Sequence, residues 1–193
     1  MDYLETYSKL FSQKYNEYGG SPVSGKYSID FIKKNNIKSI IDISTGTGTF
    51  LKLLSSEVSD IQITCTDLNK FNNLDYEFIS LDLSNDKDFE KIKKNSYELL
   101  TCLDVLEHLD KSFIENVLNN FAQISKNVIL TIANHHDIQN GVELHTIIED
   151  MNYWEPIISK YFYVVHQETH EFRQVNNNIN YLYVLTLDSK IIE

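Results

Sequence analysis

Ser39-Ile40-Ile41-Asp42-Ile43-Ser44-Thr45-Gly46-Thr47-Gly48-Thr49-Phe50 runs from an apolar strand, through small residues, into the start of a helix. Glycines suit such a turn because the backbone can approach a ligand with no Cβ in the way, and the helix N-terminus offers amides to polar ligand atoms. The segment predicts a strand–turn–helix unit that binds something small and polar at its turn.

Outward from this unit, apolar runs of strand length alternate with segments of helical period, the pattern of strands joined by crossover helices. Strands are predicted at 39–43, 61–66, 77–81, 97–103, 127–132, 161–166 and 181–187. Helices are predicted at 4–15, 23–34, 50–56, 87–93, 113–124 and 147–159. Ser112 with Glu115, and Thr146 with Glu149, have the spacing of capping boxes and mark two helix starts. No helical run separates the last two strands, only the Asn-rich stretch 176–180, so they are expected to pair as an antiparallel hairpin. The expected fold is α/β, an open, mostly parallel sheet of seven strands with helices on both faces and a C-terminal antiparallel hairpin. The 193 residues are read as one domain, with residues 1–22 forming an N-terminal helix and lid.

The formal charge of −11, from 28 acidic and 17 basic residues, opposes a general phosphate-binding surface and argues against DNA or RNA as a partner. The two cysteines, Cys65 and Cys102, fall in apolar strand runs and read as buried thiols, as in a reducing compartment. The N-terminus has no basic, apolar leader pattern, and no run approaches the ~18 apolar residues of a membrane span, so a cytoplasmic location is expected.

Acidic residues follow successive strands. Asp67 stands after the second, where a carboxylate can accept hydrogen bonds from a ribose diol, and Asp82 stands after the third. A nucleoside-containing ligand is favoured. Asp42, Gly46, Gly48, Asp67, Asp82 and Asp104 together resemble the class I S-adenosylmethionine-dependent methyltransferases, a resemblance that extends from about Ser24 to the final strand. It implies a Rossmann-like sheet with S-adenosylmethionine as methyl donor. Asp42 would lie near the methionine amino group, Asp67 would hold the ribose hydroxyls and Asp82 would contact adenine. Thr45, Leu68, Leu83 and Asp104 would complete the pocket. Ser44 stands where the family usually has its first glycine. The dinucleotide alternative needs G-x-G-x-x-G, and Gly46-Thr47-Gly48 lacks the third glycine.

A second constellation follows the fourth strand: Asp104, Glu107 and His108 would share one face of a helical turn at the carboxyl end of the sheet. His135, His136 and His145 come later, so four of the six histidines fall between 108 and 145. Two carboxylates with two imidazoles make a mixed oxygen and nitrogen site suited to Mg²⁺, Mn²⁺ or Fe²⁺. The grouping is similar to the metal-dependent branch of the family, which includes small-RNA 3′-end 2′-O-methyltransferases and ubiquinone-pathway O-methyltransferases. By that resemblance Asp104, Glu107, His108 and His145 are the ligands, although His135 or His136 could take the place of His145, and either could serve as general base. An acid with Glu-His here also lines the cofactor pocket of family members that carry no metal.

The expected activity is methyl transfer to an oxygen of a small metabolite such as a sugar derivative, assisted by Mg²⁺ or Mn²⁺. Metal-independent N- or C-methylation and a non-catalytic S-adenosylmethionine-binding protein are the alternatives. Tyr3, Tyr7, Phe11 and Tyr15 form an aromatic stripe that reads as core packing. The stretch 18–22 could hinge a lid, and Arg173, the only arginine, could grip an anionic group of the acceptor.

Overall fold

The computed structural model describes residues 3–12, 22–171 and 179–189. Tyr15, residues 18–21 of the expected hinge, and Arg173 lie outside them.

Burial on both faces drives the strand-forming runs into the middle of the fold. β1 (Ser39–Ile43), β2 (Gln62–Asp67), β3 (Glu77–Ser80), β4 (Leu99–Leu103) and β5 (Asn127–Asn134) are parallel, and β8 (Tyr163–Glu171) and β9 (Ile179–Thr186) complete the sheet. The order is β3-β2-β1-β4-β5-β9-β8, with β9 antiparallel to both neighbours. A register shift between Val164 and His166 interrupts the β8–β9 ladder. This is the expected Rossmann-like sheet, and the two C-terminal strands pair as expected.

Alternate side chains along each strand serve opposite faces. Ile40, Ile63, Cys65, Leu99, Ile129 and Leu182 pack on one face with Ile29 and Ile32 of α2 (Pro22–Lys34) and Leu51 and Leu54 of α3 (Thr49–Glu57). Ile41, Leu100, Cys102, Val128, Leu130 and Tyr183 pack on the other with α4 (Asp86–Phe89), α5 (Lys111–Ile124) and α6 (Met151–Ile158). Both cysteines are buried free thiols. α1 is described over Tyr3–Ser12. No helix among the described residues is long and apolar enough to cross a membrane.

Several local expectations are corrected. Asp110, not Ser112, caps α5, accepting from the Ser112 amide at 2.9 Å, while Glu115 is drawn to Lys160 and Tyr161. α6 starts at Met151 with Asp150 as its cap. Thr146 instead donates its hydroxyl to the Glu107 and Leu109 carbonyls, and Glu149 pairs with Lys111. α4 stops at Phe89 rather than 93. Tyr97 makes only an isolated bridge to Ser125, so β4 begins at Leu99. A short hairpin of β6 (Ile138–Gln139) and β7 (Val142–Glu143) was not expected. Its two-residue turn, Asn140-Gly141, has positive φ at both positions (53° and 79°), the geometry that an Asn-Gly pair supplies most readily.

The β1–α3 turn is strongly bent. Ser44, Gly46 and Gly48 have φ of 56°, 56° and 73°. The position usually held by the family's first glycine is thus left-handed, and serine occupies it with strain that glycine would not carry. A Cβ on Gly48 would come within 2.4 Å of Leu74 Cδ1. Gly48→Ala should therefore cost roughly 1–2 kcal/mol from the left-handed backbone alone and lower Tm by about 4 °C, measured by thermal unfolding.

Candidate active site

Asp42 is buried within β1, where it accepts a 2.6 Å hydrogen bond from the Thr101 hydroxyl of β4. Loss of water raises its carboxyl to about 7, against the opposing pull of that hydrogen bond. Asp67, at the end of β2, reaches across to the glycine turn. One carboxylate oxygen accepts from the Gly46 amide and the other from Leu68, each at 2.8 Å. Burial lifts it to about 6. A carboxylate has about four acceptor positions, so these two bonds hold the group in place and leave capacity for a ligand's hydroxyls. The turn is tied to β2 by Thr45 N to Thr66 O (2.8 Å) and to the following loop by Asn72 Nδ2 to Gly46 O (3.0 Å).

Asp82 closes a local turn, accepting from the amide and hydroxyl of Ser84 at 2.9 and 2.7 Å. Leu83 is buried beside it. Asp42, Ser44, Thr45, Gly46, Gly48, Asp67 and Leu68 thus form one continuous wall at the carboxyl ends of β1 and β2, with Asp82 and Leu83 following β3.

The chain leaves β4 differently from the expected helical turn. Asp104 is left-handed (φ 56°), and only Leu106–His108 coil, as a single 3₁₀ turn. Asp104 consequently departs from the face of Glu107 and His108. Its Oδ1 accepts from Thr131 (2.7 Å) and Asn180 (3.0 Å), in a polar cluster with β5 and β9. Glu107 turns inward and is fully buried. Its Oε1 accepts from the Ala133 amide at 3.0 Å, while Oε2 is buried with no hydrogen-bond partner. Desolvation, reinforced by nearby Asp104, holds its carboxyl well above the usual range.

The segment after β7 docks on this turn. The amides of Thr146 and Ile147 both donate to the Glu107 carbonyl, at 2.8 and 3.0 Å, which brings His145 against His108 with ring centroids 4.5 Å apart. Among the described residues, Glu107, His108 and His145 form a group whose ligand atoms all lie within 4.8 Å of one another. Asp104, expected as a fourth member, is not in it.

The two imidazoles are oriented alike. His108 Nδ1 lies 3.2 Å from the Leu144 carbonyl and His145 Nδ1 lies 2.5 Å from the His135 carbonyl. A carbonyl can only accept, so His145 Nδ1 carries the proton and its Nε2 keeps the lone pair, whereas His108 Nδ1 faces both the Leu144 carbonyl and the Tyr7 hydroxyl, which can donate to it. Burial, with the neighbouring His145, pushes His108 down to about 3; burial also lowers His145. Both rings are neutral at pH 7.

His135 and His136 diverge. The His135 ring is 4.9 Å from that of His145, beside the trio. His136 is 73% exposed and paired with Glu143 at 2.5 Å. Glu143, which was not expected at the site, also accepts from the amides of Asp137 and His145 and so clamps the hairpin to the trio. Tyr7 was expected as core packing, yet its hydroxyl lies 2.7 Å from His108 Nδ1. Its four-residue spacing in the aromatic stripe indicated a buried face but not this polar contact.

A family model described as a methyltransferase domain matches residues 4–176. No curated protein matches. Among solved structures, similarity extends to 1,6-didemethyltoxoflavin-N1-methyltransferase of Burkholderia thailandensis, with a TM-score of 0.71 and 9% identity over 96% of this chain and 87% of that one. A methyltransferase of Archaeoglobus fulgidus gives 0.65 and 15% over 93% and 99%. The methyltransferase domain of bacterial CtHen1-C gives 0.62 and 20% over 86% and 97%. The strand order, the bent glycine turn and a family match over most of the sequence agree: the chain belongs to the class I S-adenosylmethionine-dependent methyltransferase family.

Proposed function

We propose that this methyltransferase acts on an oxygen of a small-molecule acceptor, such as a sugar derivative, held by a divalent cation at Glu107, His108 and His145. The observation that carries the reading is the convergence of the orphaned, buried Glu107 Oε2 with two imidazoles, one ligand atom of each residue lying within 4.8 Å of the others. An unpaired buried carboxylate oxygen is costly, and a cation would remove that cost. Carbonyl-bound imidazoles are the usual outer support of metal-ligating histidines. One carboxylate with two imidazoles is richer in nitrogen than the four-ligand set expected from the sequence, which favours Mn²⁺ or Fe²⁺ over Mg²⁺.

S-adenosylmethionine supplies a sulfonium methyl group whose transfer leaves S-adenosylhomocysteine. Asp42 would pair with its ammonium, Asp67 with its ribose hydroxyls and Asp82 with adenine, while the Gly46–Gly48 backbone gives it room. Binding beside the turn would align the acceptor for in-line displacement. A bound divalent cation lowers the pKa of an oxygen that it holds. His135, rather than the exposed His136, would take the acceptor's proton; its ring beside that of His145, and its Nδ1 3.0 Å from the His136 carbonyl, which would leave Nε2 as acceptor, support this reading. The alternative is nitrogen methylation without metal; its support is that the similar B. thailandensis structure is an N1-methyltransferase.

Titration with Mn²⁺ followed by electron paramagnetic resonance tests the cation site. The wild type should bind one equivalent, and His145→Ala should weaken binding at least tenfold; no uptake by the wild type, or methyl transfer undiminished by EDTA, excludes it. A second expectation concerns pH. Since ligand-free Asp42 titrates near 7, protons compete with the cofactor's ammonium below that value and not above it. Calorimetry should show S-adenosylhomocysteine binding weaken from pH 8 to pH 6, by at most about tenfold per unit. Asp42→Asn should bind weakly at pH 8 and lose most of this dependence.

A further inference from the structure

α1 touches the 3₁₀ turn at two points. Tyr3 Oη accepts from the Asp110 amide at 3.0 Å, just beyond the turn, and Tyr7 Oη meets His108 Nδ1 at 2.7 Å. The Tyr7 ring stands edge-on to the His108 ring, with centroids 5.8 Å apart and planes at 84°. In the tautomer that leaves His108 Nε2 for a cation, the Nδ1 proton is shared between two acceptors, the Leu144 carbonyl at 3.2 Å and the Tyr7 phenol oxygen at 2.7 Å. Tyr7 is the nearer. Without it the ring keeps one long hydrogen bond and is freer to rotate about its χ2 torsion. The ring's approach to Glu107 and His145 is then less well defined.

We propose that Tyr7 is a positioning residue for the cation site, so that α1 completes the outer support of His108 and is itself held down more firmly when a cation is bound. This rests on the cation reading of the Glu107, His108 and His145 trio. The argument is one of linkage: if docked α1 raises cation affinity, the cation must favour docked α1 by the same factor.

The test uses the full chain and two readouts. Tyr7→Phe keeps the ring and removes one oxygen atom. It should weaken Mn²⁺ binding 10–100-fold, the usual effect of losing an outer-shell partner, and should reduce the intensity of the visible bands of bound Co²⁺ by disturbing ligand geometry. Affinity for S-adenosylhomocysteine should stay within about twofold of wild type, showing that the fold is intact. Hydrogen exchange of the α1 amides should slow when Mn²⁺ is added to the wild type and be unaffected by Mn²⁺ in Tyr7→Phe. Equal Mn²⁺ affinity in the two proteins, or α1 exchange indifferent to Mn²⁺ in the wild type, overturns the proposal while leaving the cation site standing. A wild type that binds neither Mn²⁺ nor Co²⁺ overturns both.

Discussion

Both central strands leave the sheet through a left-handed residue, Ser44 after β1 and Asp104 after β4, each with φ of 56°. The conformation is uphill for any side chain, by about 1–3 kcal/mol, and it persists because the neighbouring strands hold it. Ser44 N faces Thr66 Oγ1 at 3.3 Å, and Asp104 N donates to both the carbonyl and hydroxyl of Thr131. Each bend turns the chain sharply at the carboxyl edge of the sheet. The first produces the glycine turn that meets Asp67. The second turns Asp104 away and leaves Glu107 and His108 to be presented by a single 3₁₀ turn. The glycine-turn wall and the histidine cluster are therefore products of the same backbone device on adjacent strands.

The second bend also explains how a distant segment joins the site. A 3₁₀ turn exposes its carbonyls, and that of Glu107 collects the amides of both Thr146 and Ile147. His145 is delivered by main-chain pairing next to it, not by its own side chain's affinity for anything nearby. Glu143 performs a similar service through its carboxylate, binding backbone on either side of the β6–β7 hairpin. Such an arrangement tolerates variation in the hairpin while keeping the imidazole in place.

Much of this was legible in the residues because burial imposes its own pattern. The apolar runs at 39–43 and 127–132 could hardly be anything but strands covered on both faces, and the absence of a helical run before the last strand forced an antiparallel pairing. Residue type and spacing grouped Glu107 and His108 with Asp104 and the later histidines, and it was the family resemblance that singled out His145 from His135 and His136. What failed had tertiary partners that local spacing does not reveal. Ser112 with Glu115 satisfies the capping pattern, but Asp110 is an equally good cap two residues earlier, and Glu115 finds Lys160 across the surface. Thr146 was read as a cap, whereas its hydroxyl serves two carbonyls of another segment. Asp104 shares helical spacing with Glu107, but helical spacing is meaningless through a left-handed residue. The Asn140-Gly141 turn did carry a local signal, and its flanking strands are merely too short to announce themselves.

The position of β9 has a bearing on how the molecule comes to be assembled. It is the latest described strand in sequence, yet it lies inside the sheet, paired with β5 over eight residues and with β8 on its other side, and nearly all of it is buried. Until residues near 186 have left the ribosome, the edge of β5 that pairs with β9 has its backbone amides and carbonyls open, and β8 has nothing to pair with. The sheet therefore cannot close progressively behind synthesis. A nascent chain waits with a sticky parallel edge exposed, the condition under which strands find foreign partners, and the final insertion joins segments some fifty residues apart in a contact of high order, which is slow by nature.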